Sequence, residues 1–255
     1  MNQLLNDNEI PVYALFYENG SSPIFLTCDH ASNQIPIRLG DLGTTEEIRN
    51  SHLGWDIGAL DIACDLAGLL DAPLVASRFS RLVIDCNRPP LSAGSIPTRI
   101  HGEDIPGNTR LTEREVAQRI NEVFTPYHHA INRLLHSHIL QKRHVVLLSV
   151  HSYTPTLGDV HRPWPIGITY ESASRFSDHL IGELSNCLLN PIGINEPYPI
   201  TPDGDYGMYA HGKANNIDSV LLEIRQDYLQ DPTQRRMILE SLHSALSTYA
   251  QAVSA

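Results

Sequence analysis

Two apolar segments of this chain end in a histidine with small polar neighbours. Residues 23–28 run into Asp29-His30-Ala31-Ser32, and residues 144–150 run into His151-Ser152. Open α/β sheets bind ligands just beyond the carboxyl ends of their strands. Because imidazole is the commonest metal-binding side chain in proteins, we predict that His30 and His151 lie together and hold a metal ion, with zinc as the expected metal.

A catalytic zinc site commonly has three protein ligands, so a third donor is needed. The segment Gly54-Trp55-Asp56-Ile57-Gly58 offers Asp56, just before a predicted helix, and we expect it to be that ligand. A helix N-cap is the alternative role for an aspartate at this position. Asp29 and Asn33 are nearer to His30 in sequence, but strand geometry would point Asp29 away from His30.

The segment Ser80–Pro89 carries groups that suit a carboxylate ligand. A predicted short strand, Arg81–Ile84, ends in Asp85-Cys86-Asn87-Arg88. Arg81 and Arg88 can each bind a carboxylate through two hydrogen bonds, and Asn87 can add another. The alternative is a salt bridge from Asp85 to an arginine that pins the loop.

Glu223 stands in the apolar segment Ser219–Ile224, where an unpartnered carboxylate is costly to bury. Near a metal-bound water, such a group could act as general base and then as general acid to a leaving nitrogen. In that mechanism Arg81 could stabilise the oxyanion. The alternative for Glu223 is a salt bridge to Arg225.

Composition limits the kinds of partner. The 255 residues carry a formal net charge of −11, which argues against a nucleic-acid surface but allows a small anionic substrate bound by a few arginines.

Four cysteines without C-x-x-C spacing indicate reduced thiols. With no segment that suggests a signal peptide or a membrane span, we expect a cytoplasmic protein. The sequence does not indicate an oligomeric state.

Apolar runs alternate with amphipathic helices, which predicts one layered α/β/α domain over residues 1–255 with a mainly parallel mixed sheet. Residues 1–8 are expected to be frayed, and the segments Pro89–Pro106 and Pro197–Gly207 to be loops. The predicted strands are Ile24–Cys28, Pro73–Ala76, Arg81–Ile84, His144–Val150, Ile166–Tyr170 and Ser219–Ile224. One short helix is predicted to start at Thr45. The other predicted helices span Ile57–Leu70, Thr112–Leu140, Phe176–Leu189, Met208–Ala214 and Pro232–Ala250. Pro126 predicts a kink in the second of these.

Four segments together resemble the N-formylglutamate amidohydrolase family, in the family's order and over most of the chain. The most specific is the Ser-Arg-…-Asp-…-Asn-Arg-Pro block at Ser80–Pro89; the others are His30–Pro36, Val150–Ser152 and Leu222–Arg225. Asp29-His30-Ala31-Ser32 departs from the family's usual Pro-His-Ser-Gly, and Gly54-Trp55-Asp56 departs from its acidic pair before tryptophan. The chain therefore resembles a divergent member.

The resemblance implies a fold similar to zinc carboxypeptidases and succinylglutamate desuccinylases. It also implies hydrolysis of a small N-acyl amino acid such as N-formylglutamate. His30 and His151 would then be zinc ligands, Glu223 the base, and Asn87 and Arg88 a clamp for the substrate carboxylate. Ser152 and Arg225, beside His151 and Glu223 in sequence, are further substrate-binding candidates. Two other interpretations stay open: a Cys-dependent amidohydrolase that uses Cys28 or Cys86, and a binding protein that keeps the pocket without hydrolysis.

Overall fold

The apolar runs of the sequence form the centre of a seven-stranded sheet. The computed structural model describes residues 3–141, 144–187 and 191–254. In chain order the strands of the sheet are β1 (Tyr13–Phe16), β2 (Ile24–Cys28), β3 (Leu74–Ser77), β4 (Val146–Tyr153), β5 (Ile166–Thr169), β6 (Ile192–Ile194) and β7 (Ser219–Arg225). Their spatial order is β1-β3-β2-β4-β7-β5-β6.

The four central strands β3, β2, β4 and β7 are parallel, so their carboxyl ends lie at one edge of the sheet. Strand β1 is antiparallel to β3, and β5 is antiparallel to β7 but parallel to β6. Helices cover both faces, which explains why the central strands are apolar throughout rather than alternating. The predicted layered α/β fold with a mainly parallel mixed sheet is confirmed.

The helices divide between the two faces of the sheet. One core joins β2 residues Ile24, Leu26 and Cys28 to the helices α2, α5 and α7. The other joins Phe25 to α4 and the N-terminal segment. The helices are α1 (Glu46–Asn50), α2 (Ala59–Leu70), α3 (Glu113–Arg119), α4 (Thr125–Gln141), α5 (Arg175–Ser185), α6 (Gln226–Gln230) and α7 (Pro232–Ser254).

Helices α3 and α4 form one continuous rod through a π-helical segment at Ile120–Phe124. This segment precedes Pro126, where the sequence predicts a kink, and the wider turn accommodates the proline that lacks an N–H group. Thr112 caps α3 and forms a capping box with Glu115. The C-terminal part of the predicted helix Phe176–Leu189 reaches residues that lie outside those described.

The predicted strand Arg81–Ile84 is wrong: the segment forms turns. The Ser80 hydroxyl accepts a hydrogen bond from the Leu82 amide at 3.1 Å, and the Val83 amide bonds the Ser80 carbonyl at 2.9 Å. Local side-chain bonds of this kind compete with strand pairing. The apolar residues of the segment are buried in the core nevertheless, so burial without a strand produces the same sequence pattern.

The expected fraying of residues 1–8 is also wrong for the described part of that segment. Leu4 and Leu5 are buried, and their amides donate to the Glu122 carboxylate at 2.7 and 3.1 Å. The two edge strands β1 and β6 were not predicted, because they are short and carry little of the apolar pattern of the central strands.

In the described part of the chain, no helix combines the length and the apolar character needed to cross a membrane. The cytoplasmic location stays a prediction.

Candidate active site

His30, Asp56 and His151 meet at the carboxyl edge of the parallel strands. His30 lies two residues beyond the end of β2, whereas His151 lies inside β4, two residues before its end. The Asp56 Oδ2 atom is 2.9 Å from His151 Nδ1 and 3.4 Å from His30 Nδ1. One donor atom from each residue lies within 4.8 Å of the other two, so this buried group could hold a metal ion.

Backbone contacts explain why Asp56 lies there. Its amide donates to the His30 carbonyl at 3.0 Å, and the Ser152 amide donates to Asp56 Oδ2 at 3.3 Å. The segment that carries Asp56 is thereby tied to both histidine-bearing strands. The N-cap of α2 is Gly58, so the Asp56 side chain does not serve as the cap that was its alternative role.

Each histidine is oriented on its far side by an acid. His30 Nε2 is 2.7 Å from Asp85 Oδ1. His151 Nε2 is 3.4 Å from Asp29 Oδ2 and 3.1 Å from the Ser149 hydroxyl, and Asp29 also accepts a hydrogen bond from the Tyr127 hydroxyl at 2.6 Å. Carboxylates behind histidine ligands fix the ring orientation and the tautomer in known metal sites.

His30 provides a direct test of whether this group fits a metal. Burial lowers the pKa of His30 to about 4, so the ring is neutral near pH 7. An Nε2–H that donates to Asp85 leaves Nδ1 as a lone pair, and this atom is buried without a hydrogen-bond partner. Two acceptors, His30 Nδ1 and Asp56 Oδ2, therefore face each other, an arrangement that a cation between them would stabilise. Two imidazoles and one carboxylate also form a common catalytic zinc set.

Electrostatics favour an ionised acid behind each ring. Burial opposes the charge on Asp29, but the hydrogen bond and the charge of His151 outweigh it and lower the Asp29 pKa. Burial likewise opposes the charge on Asp85, whose pKa is lowered by His30 and by the nearby arginines. Burial also lowers the pKa of His151, but Asp29 more than compensates and the net shift is upward.

Glu223 lies on β7 directly beside His151 on β4. It is buried and lines a cleft that His30, Asp56 and His151 also line, and its Oε2 atom has no hydrogen-bond partner. Burial raises its pKa above the ordinary value, although the charges of His151 and Arg81 act in the opposite direction. The salt bridge to Arg225, which was the alternative role for Glu223, does not form.

Arg81 pairs with the candidate ligand Asp56 through its Nη2 atom and Asp56 Oδ1. It also lines the cleft, and its Nε atom has no partner. Burial lowers its pKa, and the acidic charges of Asp85 and Glu223 oppose that shift.

Asn87 and Arg88, the predicted carboxylate clamp, both line the cleft. The Asn87 amide group is 3.4 Å from Asp205 Oδ1, and its carbonyl oxygen accepts from the Gly207 amide at 3.4 Å. The Arg88 side chain is 42% exposed and only loosely paired, with its Nε atom 3.8 Å from Asp85 Oδ2. The guanidinium is therefore available to an anion in the cleft.

The other two substrate-binding candidates are placed differently. Ser152 lines the cleft, but its hydroxyl donates to the Ile57 carbonyl at 2.9 Å and accepts from Gln226. Arg225 is absent from the cleft lining, and its guanidinium binds Asp227 at 2.8 and 3.1 Å. The structure therefore does not bring Arg225 together with the other site residues.

The cleft has a volume of about 320 Å³. Several of its residues were missed by the sequence analysis because they lie in loops without a recognisable motif. The polar ones among them are His52, His101, Thr154, Arg162, Tyr198, Thr201 and Asp205.

The cysteines are poorly suited to nucleophilic chemistry. Cys28 and Cys86 are both buried, and burial raises the pKa of each thiol well above its usual value. Since the thiolate is the reactive form, these positions favour unreactive structural thiols over the Cys-dependent mechanism.

Comparison with known proteins places the chain in a family. The family model described as N-formylglutamate amidohydrolase matches residues 22–229. N-formylglutamate deformylase of Pseudomonas putida is 30% identical over 149 residues, 54% of this chain and 54% of that protein. The matched stretch thus spans about half the length of this curated relative.

Two solved structures share the fold. A gene product of Agrobacterium tumefaciens is 30% identical and superposes with a TM-score of 0.93, over 99% of this chain and 100% of that one. An N-formylglutamate amidohydrolase from Ralstonia eutropha is 18% identical with a TM-score of 0.71, over 96% of this chain and 99% of that one. With the family match over residues 22–229, the resemblance seen in the sequence is confirmed, and the chain belongs to the N-formylglutamate amidohydrolase family.

Proposed function

We propose that this protein is a metal-dependent amidohydrolase that cleaves the amide of a small N-acyl amino acid such as N-formylglutamate. The observation that carries the proposal is the buried, unpartnered Nδ1 atom of His30, grouped with Asp56 and His151 in a chain of this family. Zinc is the proposed metal. When bound by these three residues, it would polarise the amide carbonyl and lower the pKa of a water molecule toward about 7.

Glu223 is the proposed general base. It is buried beside His151, and its Oε2 atom is free to accept a proton from the attacking water. The same carboxyl group can then deliver that proton to the leaving nitrogen as the C–N bond breaks, which yields an amino acid and a carboxylic acid. The raised pKa of Glu223 suits this double role, because a carboxyl group with a pKa nearer neutrality both accepts and releases a proton readily.

Arginines are the proposed anion receptors. Arg81 lines the cleft with an unpartnered Nε atom, and we assign to it the stabilisation of the oxyanion that forms on the former carbonyl oxygen. Asn87 and Arg88 would bind the substrate's α-carboxylate. The Arg88 guanidinium supports this role since it is half-exposed and only loosely paired with Asp85.

Metal analysis and a substrate panel test the proposal together. We expect purified protein, supplied with zinc during expression, to hold close to one equivalent of divalent metal. A chelator should abolish hydrolysis of N-formyl amino acids, and added zinc should restore it. Protein without bound divalent metal, whose activity on the panel does not respond to the chelator, would contradict the proposal.

A further inference from the structure

Arg162 is a buried cation without an acidic partner. The residue is only 5% exposed, yet no carboxylate in the described part of the chain lies within salt-bridge distance of its guanidinium. Its two side-chain hydrogen bonds go to hydroxyl groups, those of Tyr198 at 2.6 Å and Thr154, and its Nε atom has no partner. Burying a charge on neutral groups alone is costly, so this position calls for an anion.

A second buried arginine shows what a structural role looks like in this protein. Arg119 also lacks a salt bridge among the described residues, but it donates to the Val83 carbonyl at 2.8 Å and to Asn108 Oδ1 at 2.7 Å, with a longer contact to the Gly107 carbonyl. Its Nε atom is unpartnered, as in Arg162, but these strongly polar oxygens bind its two Nη atoms, and it lies outside the cleft. Arg162 has no such set of carbonyl oxygens, and it lines the cleft that holds Glu223.

The Arg162 side chain is held in place before any ligand arrives. Its guanidinium carbon lies 4.8 Å from the centre of the Tyr153 ring and 5.5 Å from that of Tyr198. Contacts of this type orient the guanidinium plane without neutralising its charge. The group is thus pre-organised to bind a planar anion, which lowers the entropic cost of binding.

The backbone of Arg162 is tied to the strands that carry the proposed reaction centre. Its amide bonds the Pro155 carbonyl at 2.9 Å, just beyond the end of β4. Its carbonyl accepts from Arg225 Nη1 at 2.9 Å, at the end of β7. Because His151 and Glu223 lie on these two strands, the position of Arg162 is set relative to both of them.

We propose that Arg162 binds the side-chain carboxylate of the substrate and so makes this site selective for N-acyl derivatives of acidic amino acids. The inference rests on the proposed function and deepens it. Arg81 is already paired with Asp56, and Asn87 with Arg88 suffices for one carboxylate. A substrate with a neutral side chain would leave the Arg162 charge buried and unpaired, whereas a dicarboxylate occupies both receptors.

The test compares two substrates that differ only in charge, N-formyl-L-glutamate and N-formyl-L-glutamine, on zinc-loaded protein. For Arg162→Met we expect kcat/KM with N-formylglutamate to fall by at least about 30-fold, as for loss of one partner from a buried charge pair. The value with N-formylglutamine should change by less than about threefold. Arg235→Met is the control, because Arg235 pairs with Asp65 away from the cleft, and both of its values should match the wild type.

Equal losses with both substrates would overturn the inference, since Arg162 would then bind the α-carboxylate or only maintain the structure. An unchanged preference for N-formylglutamate would overturn it as well. Thermal unfolding without substrate gives a separate readout. Removal of an unpaired buried charge should leave the melting temperature of Arg162→Met unchanged or raised, whereas loss of a purely structural arginine would lower it.

Calorimetric binding of L-glutamate and L-glutamine distinguishes this inference from the proposed function. Tighter binding of glutamate that disappears in Arg162→Met supports the inference even if the wild type hydrolyses no N-acyl amino acid, a result that would refute only the hydrolase. If the wild type hydrolyses both formyl substrates equally well and binds both amino acids equally, the inference fails while the hydrolase stands.

Discussion

His30 Nε2 lies 2.7 Å from Asp85 Oδ1, and this contact determines what the other nitrogen of the ring can do. A neutral imidazole that donates from Nε2 presents a bare lone pair at Nδ1, which here faces Asp56 Oδ2 at 3.4 Å. Asp85 therefore orients His30 as a metal ligand, although Asp85 is not itself one of the three candidate ligands. A substitution of Asp85 can therefore test the metal site while all three candidate ligands are kept.

Replacing Asp85 by Asn should weaken metal binding. The substitution keeps the size of the side chain but removes the charge that holds the His30 tautomer, and changes behind histidine ligands typically cost about 10–100-fold in metal affinity. We expect a loss in this range, measured by zinc competition with a chromophoric chelator. Asp104→Asn, at an exposed aspartate in the short hairpin of residues 99–104, is the control. Wild-type zinc affinity in Asp85→Asn would refute the role of Asp85.

Replacing Glu223 by Gln should separate binding from turnover. The amide cannot accept the proton of water, and loss of a general base typically lowers kcat by about 10²–10⁴-fold. The side chain is buried with an unpartnered oxygen, so a neutral isostere should fold and bind zinc as the wild type does. Steady-state kinetics and metal analysis of the same preparation check both points. If turnover survives along with binding, Glu223 is not the base.

The activity of the Glu223 carboxylate also has a pH signature. Burial raises its pKa, and only the ionised form accepts a proton. In zinc-loaded wild type, kcat/KM should therefore fall as the pH is lowered through the pKa of this group. This fall in kcat/KM at low pH should be absent from the residual activity of Glu223→Gln. If the variant shows the same fall, a group other than Glu223 causes it.

A buried histidine pair should make stability depend on pH. His128 Nδ1 lies 2.8 Å from His211 Nε2, and burial lowers their pKa values to about 4 and about 3. Unfolding returns the pKa of each histidine to about 6.5. At a pH between the folded and unfolded pKa values the unfolded state therefore binds more protons, and the free energy of unfolding falls as the pH drops from about 6.5 to 4. For His128 the loss is about 3 kcal/mol.

Urea unfolding at several pH values measures this dependence. His128→Gln should lower stability at pH 7.5 but flatten its decline toward pH 4, because one of the two buried histidines no longer titrates. His129→Gln, at the exposed neighbouring histidine on α4, should retain the wild-type slope. Equal slopes in wild type and His128→Gln would show that the pair does not govern the effect.

Cys86 provides a test of the thiol mechanism. The side chain is buried and burial raises its pKa, so its thiol should stay protonated and unreactive. Cys86→Ser should therefore keep zinc-dependent turnover within about threefold of the wild type, with any loss explained by lower stability. Loss of all turnover in a folded, metal-loaded Cys86→Ser protein would instead favour covalent catalysis by the thiol.

Much of the fold and part of the site could be predicted because local pattern carries them. The central strands are continuous apolar runs, which is the sequence pattern that a parallel strand buried on both faces requires. His30, His151 and Glu223 stand at or near the ends of such runs, so their meeting at one edge follows once the strands are parallel. The edge strands β1 and β6 lack that pattern and were missed.

Long-range contacts decided the rest. Asp56 joins the two histidines because its amide bonds the His30 carbonyl across 26 residues of chain, a pairing that no local spacing encodes. The apolar segment Leu82–Ile84 is buried by turns rather than by a strand. The sequence by itself thus determined the central strands of the sheet and which of them carry or precede the histidines.

Only the tertiary structure decided that Arg162 lines the cleft and that Arg225 does not. Arg225 stands next to a predicted site strand and looked like a ligand-binding residue, but Asp227, two residues away, neutralises it. Arg162 belongs to no motif. It follows a short hairpin of residues 156–161, and its backbone bonds residues at the ends of β4 and β7, which places its side chain at the cleft. Charge compensation depends on which groups meet in space, and that is a property of the folded chain rather than of its local sequence.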